Sequence, residues 1–380
     1  MEKKQLTMGV IGTSNKENEK RVPIAPADMP KIPRQLRERI FVEKGYGKRF
    51  QMRDEKIREL FGGTKSREEL FRDCDIILLP KPTKEDFPSF REGQVLWGWP
   101  HCVQGEEITQ LGIDRKLTYI AWEGMFSWKN GVRGLHTFHA NNEMAGYASV
   151  VHALQLAGIT GDYGRPRKAA VISFGSVGRG AVHALQGLGF KDIAIYTKRP
   201  KSQVQAPIPG TCKRQYRDLG EGNVAAVKEN GEDVPMEKEL AKYDVIVNAI
   251  LQDTDNPLMF IRNKDIGEFR PGTLIVDVSC DDGMGFEFAK PTSFENPSFE
   301  VGEGIIYYAV DHSPTYFWRS ASEEISTALL PFIETVMGGK ERWMENETIK
   351  KSIELLEGEV KNPKILSFQN RSAEYPYPKQ

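Results

Sequence analysis

A glycine-rich turn in the middle of the chain has the residue types and spacing that bind phosphate. Residues 168–180 read KAAVISFGSVGRG, an apolar strand that runs into glycines and a helical stretch. Gly175 and Gly178 fit the second and third glycines of the dinucleotide fingerprint, and Ser173 stands where the first would be. The N-terminus of the following helix favours the charge of a pyrophosphate. The segment predicts a dinucleotide site; the alternative is a tight strand-to-helix turn without a ligand.

The next predicted strand ends in residues that discriminate between two dinucleotides. NAD sites usually carry an acidic residue there, which binds the ribose 2′-hydroxyl. This chain has Thr197, Lys198 and Arg199 instead. A hydroxyl and two cations suit a 2′-phosphate, which arginine can bind bidentately. We therefore predict NADP(H) as the cofactor; in the alternative reading, the two cations are a solvated loop pair.

Three titratable residues close predicted strands in the N-terminal part. Lys81 ends DIILLPK, His101 ends VLWGWPH and Glu123 ends LTYIAWE. Ligands of parallel α/β sheets bind at the carboxyl ends of strands, so these positions suit a site. Each also has a structural alternative. His101 could be packed beside Trp99, and Lys81 could be an edge residue whose aliphatic stem covers apolar surface.

The elements that must position these residues form two α/β series. Apolar strands separated by helices indicate parallel sheets, which predicts an α/β fold with two Rossmann-like domains and a cleft between them. A helix over 141–158 separates the two series, helices follow at 320–336 and about 341–357, and 201–237 receives no assignment. The predicted strands lie at 6–12, 39–45, 75–81, 95–101 and 117–123, then at 169–175, 191–200, 243–250, 272–279 and 305–312.

Composition excludes several classes of function. The 380 residues carry 52 Lys and Arg against 53 Asp and Glu, so no global basic field exists to bind nucleic acid or an anionic membrane. The sequence contains no run of about 18 apolar residues, so no transmembrane helix is predicted. The apolar stretch near its start is too short for a signal peptide. Four widely spaced cysteines without a CxxC pair argue against a disulfide framework or structural zinc. We expect a cytoplasmic protein.

Four segments resemble a known superfamily. NKENEKRVPIAP (15–26) resembles the opening of alanine dehydrogenases, the transhydrogenase nucleotide-binding subunit and saccharopine dehydrogenases. VNAILQDTDNPLMFI (247–261), VDVSCDDGMGFEFAKPTSF (276–294) and VDHSPTYFWRSASEEIS (310–326) look like the N5-(carboxyethyl)ornithine synthase family, a branch of that superfamily. The resemblance covers about residues 8 to 335. It gives no role to the tail beyond about 340.

The resemblance implies an enzyme whose nucleotide domain is inserted in its catalytic domain. Residues 1–140 plus 318–380 would form the catalytic domain. Residues 141–317 would bind NADP, with 141–158 as a bridging helix. The implied reaction condenses the ketone of pyruvate, a 2-oxo acid, with the side-chain amine of ornithine or lysine, and NADPH reduces the imine. We expect a homo-oligomer, the base rate for such enzymes.

The resemblance also implies roles for the N-terminal candidates. Lys81 and His101 would be the acid/base pair for imine formation, without a decision on which acts at which step. Glu123 would tune the pair or receive the amine. Arg21, in the 15–26 motif, would bind the carboxylate of the oxo acid, although from the sequence alone it reads as a surface arginine. Arg133, expected in a loop, would hold a second carboxylate.

The cofactor residues are expected in the glycine turn and after later strand ends. Asp311 has a second expected role, binding the substrate amine, and an ordinary alternative as a turn residue before Pro314. No metal site is expected, because His136 and His139 have no carboxylate ligand nearby, and Cys280 is taken as structural. The predicted cofactor-binding residues are Gly175, Ser176, Val177, Gly178, Thr197, Lys198, Arg199, Ala249, Ile250, Ser279, Asp311 and His312.

Three alternative functions stay open. An alanine dehydrogenase would use ammonia and usually has Asp at the end of the second strand, which Thr197, Lys198 and Arg199 argue against. A saccharopine-type enzyme would need an extra cation for the distal carboxylate of 2-oxoglutarate, and Arg133 could supply it. A non-catalytic nucleotide sensor on the same fold should have lost Lys81 or His101, yet both are present.

Overall fold

The computed structural model describes residues 5–204 and 207–380. The chain divides into two compact units, Met1–His139 with Trp318–Gln380, and Ala140–Phe317. Residues 1–4, with which the predicted catalytic domain begins, lie outside the described part. Among the described residues, we find no helix with the length and apolar character needed to cross a bilayer.

The N-terminal part of the first unit alternates short strands with helices. The last helix, α5, starts at the final residue of this part and continues into the second unit. The elements are β1 (Met8–Val10), α1 (Arg34–Arg37), β2 (Ile40–Glu43), α2 (Asp54–Leu60), β3 (Gly63–Lys65), α3 (Arg67–Asp73), β4 (Ile76–Leu78), β5 (Val95–Gly98), α4 (Glu106–Asp114), β6 (Thr118–Ala121), β7 (Phe126–Lys129), β8 (Val132–His136) and α5 (His139–Leu156).

The second unit and the C-terminal segment follow in sequence. The second unit contains β9 (Lys168–Ile172), α6 (Ser176–Gly187), β10 (Asp192–Thr197), β11 (Thr211–Gly220), β12 (Asn223–Val227), β13 (Asp233–Pro235), α7 (Met236–Leu240), β14 (Val245–Asn248), β15 (Met259–Ile261), β16 (Leu274–Asp277), β17 (Gly285–Phe286), β18 (Ser298–Val301) and β19 (Ile305–Tyr308). The C-terminal segment contains α8 (Trp318–Leu329), α9 (Ile333–Met337), α10 (Lys340–Glu345), α11 (Glu347–Lys351), β20 (Ile353–Leu356), β21 (Glu359–Val360) and α12 (Pro363–Phe368).

The first unit is built on an eight-stranded sheet with the order β21-β20-β6-β5-β4-β1-β2-β3. The strands from β6 to β3 are parallel. The apolar runs of β4, β5 and β6 are fully buried, as in sheets covered on both faces. β4, β5 and β6 are neighbours. Parallel strands end at the same edge, so the residues that follow these three strands must lie side by side.

The C-terminal segment corrects one prediction. The helix expected over about 341–357 is wrong, because α10 and α11 are separate and β20 follows. The Asn346 side chain accepts from the Ile349 backbone N–H and so caps α11. β20 then pairs antiparallel with β6 and β21, which adds two strands to the sheet.

The second unit has the strand order of a doubly wound nucleotide-binding fold. β11, β10, β9, β14, β16 and β19 are parallel neighbours in that order, with β9 at the point where the order reverses. Ligands of such sheets bind at the carboxyl end of this strand. The segment 201–237, which receives no assignment from the sequence, contains β11 and the strands β12 and β13, which extend the sheet with antiparallel pairs.

Candidate functional site

The first unit brings three predicted catalytic residues into one chain of contacts. Lys81, His101 and Glu123 follow β4, β5 and β6. The Lys81 Nζ lies 2.7 Å from the His101 Nε2. The His101 Nδ1 lies 3.1 Å from the Glu123 Oε1. A base that is oriented by a carboxylate on its other nitrogen and contacts a second titratable group is an arrangement suited to proton transfer.

His101 has a strained backbone that is held by hydrogen bonds. Its φ is +50°, in the left-handed region, which costs a non-glycine residue about 1 to 2 kcal/mol. Its backbone N–H donates to the Glu123 Oε1 at 2.8 Å, and its carbonyl accepts from the Gly105 N–H at 2.7 Å. Glu123 therefore fixes both the main chain and the ring of His101. Strain that persists in this way is typical of functional sites.

Glu123 takes up a proton near neutral pH. Burial, with a smaller contribution from the neighbouring Glu354 carboxylate, raises its pKa to about 8, although backbone N–H groups and the charge of Lys81 act in the opposite direction. The Glu123 side chain keeps 30% of its surface exposed. Its Oε2, however, is enclosed and has no hydrogen-bond partner among the described residues. A charge on this side chain is therefore poorly solvated.

Arg21 is buried beside the acid/base pair. Its guanidinium lies 5.2 Å from the centre of the Trp99 ring, and the Lys81 ammonium lies 5.7 Å from the same ring. Its Nε donates to the Glu19 Oε1 at 2.8 Å, and its Nη2 to the Glu19 Oε2 at 2.5 Å. The reading of Arg21 as a surface arginine is wrong, because the side chain is almost fully buried. Sequence reasoning missed Glu19, which balances part of its charge.

A buried polar network, also missed, positions the loop that carries Lys81. The Ser14 hydroxyl donates to the Lys81 carbonyl at 3.2 Å. Asp86 accepts from the Thr83 N–H at 2.9 Å and from the Arg67 Nη2 at 2.6 Å. Because Asp86 is buried and Arg67 mostly so, their pairing carries more weight than a surface ion pair. The network fixes the loop against the start of α3.

The prediction that Arg133 lies in a loop is wrong. Arg133 lies on the exposed hairpin of β7 and β8. Its guanidinium lies over the Phe126 ring at 4.7 Å. His136, on the same hairpin, contacts the Glu123 carbonyl at 3.2 Å, and burial lowers its pKa. A substrate contact for Arg133 stays a prediction. The described residues contain no cluster of three or more side chains suited to a metal ion.

In the second unit, the turn between β9 and α6 has a glycine-like backbone at Ser173 and open space at Gly175. Ser173 adopts φ +81°, which a glycine would adopt without strain, and its N–H donates to the Tyr196 carbonyl at 2.8 Å. Gly175 is the N-cap of α6, and a Cβ there would meet nothing within 4 Å. A Cβ on Gly178 would lie 2.5 Å from the Ser173 carbonyl. Open space before a helix N-terminus fits a pyrophosphate.

Two further glycines allow α5 and α6 to touch. A Cβ on Gly146 would lie 1.9 Å from the Val177 carbonyl oxygen, and a Cβ on Gly180 would lie 1.7 Å from the Glu143 carbonyl oxygen. Only glycine fits at such a backbone contact. The start of α6, including Ser176 and Val177, is therefore held by α5.

The end of β10 carries the residues predicted to discriminate NADP from NAD. The Thr197 hydroxyl donates to the Arg199 carbonyl at 2.8 Å, so it shapes the turn. The Lys198 Nζ lies 3.1 Å from the Asp218 Oδ2. The Gln215 side chain donates to the Lys198 carbonyl at 3.3 Å. Asp218 and Gln215, on β11, are contacts that sequence reasoning missed.

The loops after β14 and β16 are joined by a buried network. The Asn248 Nδ2 donates to the Asp277 Oδ1 at 3.0 Å, and the Tyr307 hydroxyl to the Asp277 Oδ2 at 2.7 Å. Burial raises the pKa of Asp277 to about 7. The Ser279 hydroxyl donates to the Ile250 carbonyl at 2.5 Å. The neighbouring Ala249 N–H donates to the Ile172 carbonyl at 3.0 Å, which places these loops beside the end of β9.

Asp311 and His312 form a compact turn in the second unit. The His312 N–H donates to the Asp311 Oδ1 at 2.7 Å, and the His312 Nδ1 lies 3.2 Å from the Asp311 Oδ2. The contact supports the turn role of Asp311, and its role with substrate stays a prediction. The Cys280 thiol contacts the carbonyls of Asp277 and Ala309 at 3.1 and 3.3 Å, which suits a structural cysteine.

Comparisons with known proteins match most of the chain. The family model for the alanine dehydrogenase/PNT N-terminal domain matches residues 10–145, and that for the C-terminal domain matches residues 144–363. The chain is 27% identical over 340 residues to an N(5)-(carboxyethyl)ornithine synthase from Lactococcus lactis, covering 85% of this chain and 94% of that one.

Two further comparisons connect the chain to alanine dehydrogenases. It is 26% identical over 366 residues to an alanine dehydrogenase from Methanococcus maripaludis, covering 91% of this chain and 92% of that one. A solved L-alanine dehydrogenase structure superposes with a TM-score of 0.72 at 19% identity, over 96% of this chain and 99% of the other. This likeness confirms the predicted two-domain α/β fold.

Proposed function

The chain belongs to the alanine dehydrogenase/PNT family, because the two family models span residues 10–363. We propose that it catalyses the reductive condensation of a 2-oxo acid with the side-chain amine of a diamino acid. At the coarser level, it is an NAD(P)-dependent oxidoreductase of the alanine dehydrogenase type. Pyruvate with ornithine or lysine is the proposed substrate pair. The likeness to the Lactococcus lactis synthase supports this choice.

The observation that carries the proposal is the line of contacts from Lys81 through His101 to Glu123. Condensation removes a proton from the attacking ammonium and delivers protons to the departing hydroxyl. Two titratable groups 2.7 Å apart can pass one proton between them. If the His101 Nδ1–H donates to Glu123, the Nε2 is left as the acceptor that faces the Lys81 ammonium.

Arg21 supports the choice of an oxo acid as substrate. A buried guanidinium beside Lys81, over the shared Trp99 ring, provides positive charge for a substrate carboxylate. Glu19 holds the plane of the guanidinium and so fixes its direction. Reduction of the imine carbon would use a hydride from a dinucleotide bound to the second unit. On the protein side, the turn from Gly175 to Gly178 would hold its pyrophosphate.

NADPH is the proposed form of the cofactor. The residues at 197–199 include no acid for a ribose 2′-hydroxyl, and Lys198 and Arg199 provide two cations for a 2′-phosphate. Asp218 orients Lys198 at 3.1 Å. We also propose a cytoplasmic homo-oligomer, since the four free cysteines suit a reducing compartment and symmetric oligomers are the base rate for such enzymes.

The test is NADPH oxidation with pyruvate plus ornithine, lysine, arginine or ammonia in turn, with the product mass determined. We expect oxidation with a diamino acid and the mass of an N-(1-carboxyethyl) amino acid, and much poorer turnover with NADH. Turnover with ammonia, giving alanine, would refute the condensation and indicate an alanine dehydrogenase. That outcome is the second candidate, because alanine dehydrogenases of similar identity are among the relatives.

Variants test the acid/base pair separately. Lys81→Met and His101→Gln should each lower kcat at least ~100-fold, the usual effect of removing an acid or base. Lys84→Met is the matched control, because Lys84 lies in the same loop but is exposed and pairs with Glu107. Full activity in both variants would remove the pair from the mechanism.

A further inference from the structure

The C-terminal segment reaches the turn that carries His101. The Gln369 side chain, only 3% exposed, donates from its Nε2 to the Cys102 carbonyl at 2.6 Å and to the Val103 carbonyl at 3.2 Å. Cys102 and Val103 directly follow His101. The Thr109 hydroxyl also donates to the Cys102 carbonyl, at 2.9 Å. The first two carbonyls after the histidine are thus satisfied partly by a residue 267 positions later than Cys102.

The orientation of the Gln369 amide is fixed by a second buried residue. Arg371, 6% exposed, donates from its Nε to the Gln369 Oε1 at 2.6 Å. Its Nη1 donates to the Gln110 Oε1 at 2.8 Å and to the Tyr377 carbonyl at 3.1 Å. Because arginine can only donate, the amide oxygen must face Arg371, and the amide NH₂ must face the turn. The network therefore admits one orientation of the amide.

The same C-terminal segment affects the pKa of Glu123, at the other end of the contacts from Lys81 through His101. Glu354 lies in β20 where the pairing with β6 shifts register, between Ile353, opposite Ile120, and Leu355, opposite Tyr119. Its carboxylate accepts from the Asn362 side chain at 2.9 Å. Its negative charge helps to raise the pKa values of Glu123 and Cys102.

These contacts restrain the backbone at His101. Its left-handed backbone persists only if the surrounding structure holds it, and the turn after it is short. A buried amide that donates to two successive carbonyls restrains that turn directly. We propose that Gln369, supported by Arg371, is a positioning residue for the acid/base pair, so that the alignment of His101 with Lys81 depends on the C-terminal segment. The kinetic side of this proposal rests on the proposed function.

The test compares Gln369→Met, which keeps the length of the side chain and removes its donors, with Ser367→Ala on the exposed part of α12. We expect Gln369→Met to lower kcat roughly 10- to 100-fold, with KM for NADPH within 2-fold of the wild type. Its pH profile of kcat should shift by at least about 0.5 units, since His101 loses its alignment. Ser367→Ala should match the wild type in kcat, in KM for NADPH and in the pH profile of kcat. A change in KM for NADPH with an unchanged kcat would overturn the proposal.

A spectroscopic readout separates this proposal from the proposed function. The chain has six histidines, so a histidine-selectively labelled NMR spectrum can be assigned at position 101 with the His101→Gln variant. The His101 ring signals should move in Gln369→Met and in Arg371→Gln, and stay in place in Ser367→Ala. These shifts are expected even if the enzyme turns over no substrate pair. A failure of turnover would refute only the proposed function. Unmoved signals in both folded variants would overturn the positioning role.

Discussion

Glu123→Gln should make the fold less sensitive to alkaline pH. Burial raises the pKa of Glu123 from its ordinary 4.5 to about 8, so the folded state holds this proton more tightly than the unfolded chain. The stabilising contribution is fully present below the unfolded value of 4.5 and is lost as the pH rises through 8. Glutamine does not titrate. The variant should therefore gain stability relative to the wild type between pH 5 and pH 9.

The size of the gain follows from the pKa difference. A difference of roughly 3.5 units corresponds to at most about 5 kcal/mol, at 1.36 kcal/mol per unit. Because 30% of the Glu123 side chain stays exposed, solvent screens part of this energy, and we expect about 1 to 3 kcal/mol. In a unit of roughly 200 residues, each kcal/mol shifts Tm by about 2 to 4 °C.

The assay is thermal unfolding of the wild type and Glu123→Gln at pH 5, 6, 7, 8 and 9. The quantity that matters is the change in the Tm difference with pH, because any constant cost of lost hydrogen bonds cancels. The exposed Glu324 on α8 provides the control, since Glu324→Gln should run parallel to the wild type. If the Glu123→Gln curve also runs parallel to the wild type, the assignment of a neutral buried carboxyl is refuted.

Three further predictions concern cofactor choice and packing. Arg199→Glu should raise KM for NADPH at least ~10-fold and leave KM for NADH within 2-fold, because a carboxylate would repel the 2′-phosphate. Gly180→Ala should lower the stability of the second unit by at least about 2 kcal/mol in thermal unfolding, since the Cβ would collide with a carbonyl 1.7 Å away. Gly187→Ala on the same helix meets open space and should be neutral or stabilising by up to about 1 kcal/mol. Arg67→Met should cost about 3 kcal/mol by leaving buried Asp86 unpaired, whereas the exposed Arg72→Met should cost less than about 1 kcal/mol.

The placement of the candidate site residues at strand ends could be predicted, because it depends on local patterns. Short apolar runs identify strands, and Lys81, His101 and Glu123 each follow one. The glycine turn at 175–178 could be recognised for the same reason, because its strand–turn–helix context is contiguous in sequence. Ser173, which departs from the fingerprint, adopts a positive φ that is easy for a glycine.

The contacts that complete the site could not be predicted, because they join distant segments. Nothing local to Glu19 or Arg21 indicates that both are buried against each other. The local sequence predicts a helix where β20 lies. The strand forms because it pairs with β6, more than 230 residues earlier, and strand pairing decides its conformation. Gln369 stands in a segment with no motif, and its proposed role follows from the hydrogen bonds that its buried amide donates to the turn after His101.

The discontinuity of the first unit has a consequence for how the protein folds during synthesis. Residues 140–317 are contiguous, so the second unit can fold as soon as it has left the ribosome. The first unit must wait for β20, because β6 stays a sheet edge until that partner arrives. A nascent chain with an uncovered edge strand is exposed to aggregation. Bringing β20 to β6 is also slow, because more than 230 residues separate them. We expect this edge to be where chaperone dependence of the newly made protein concentrates.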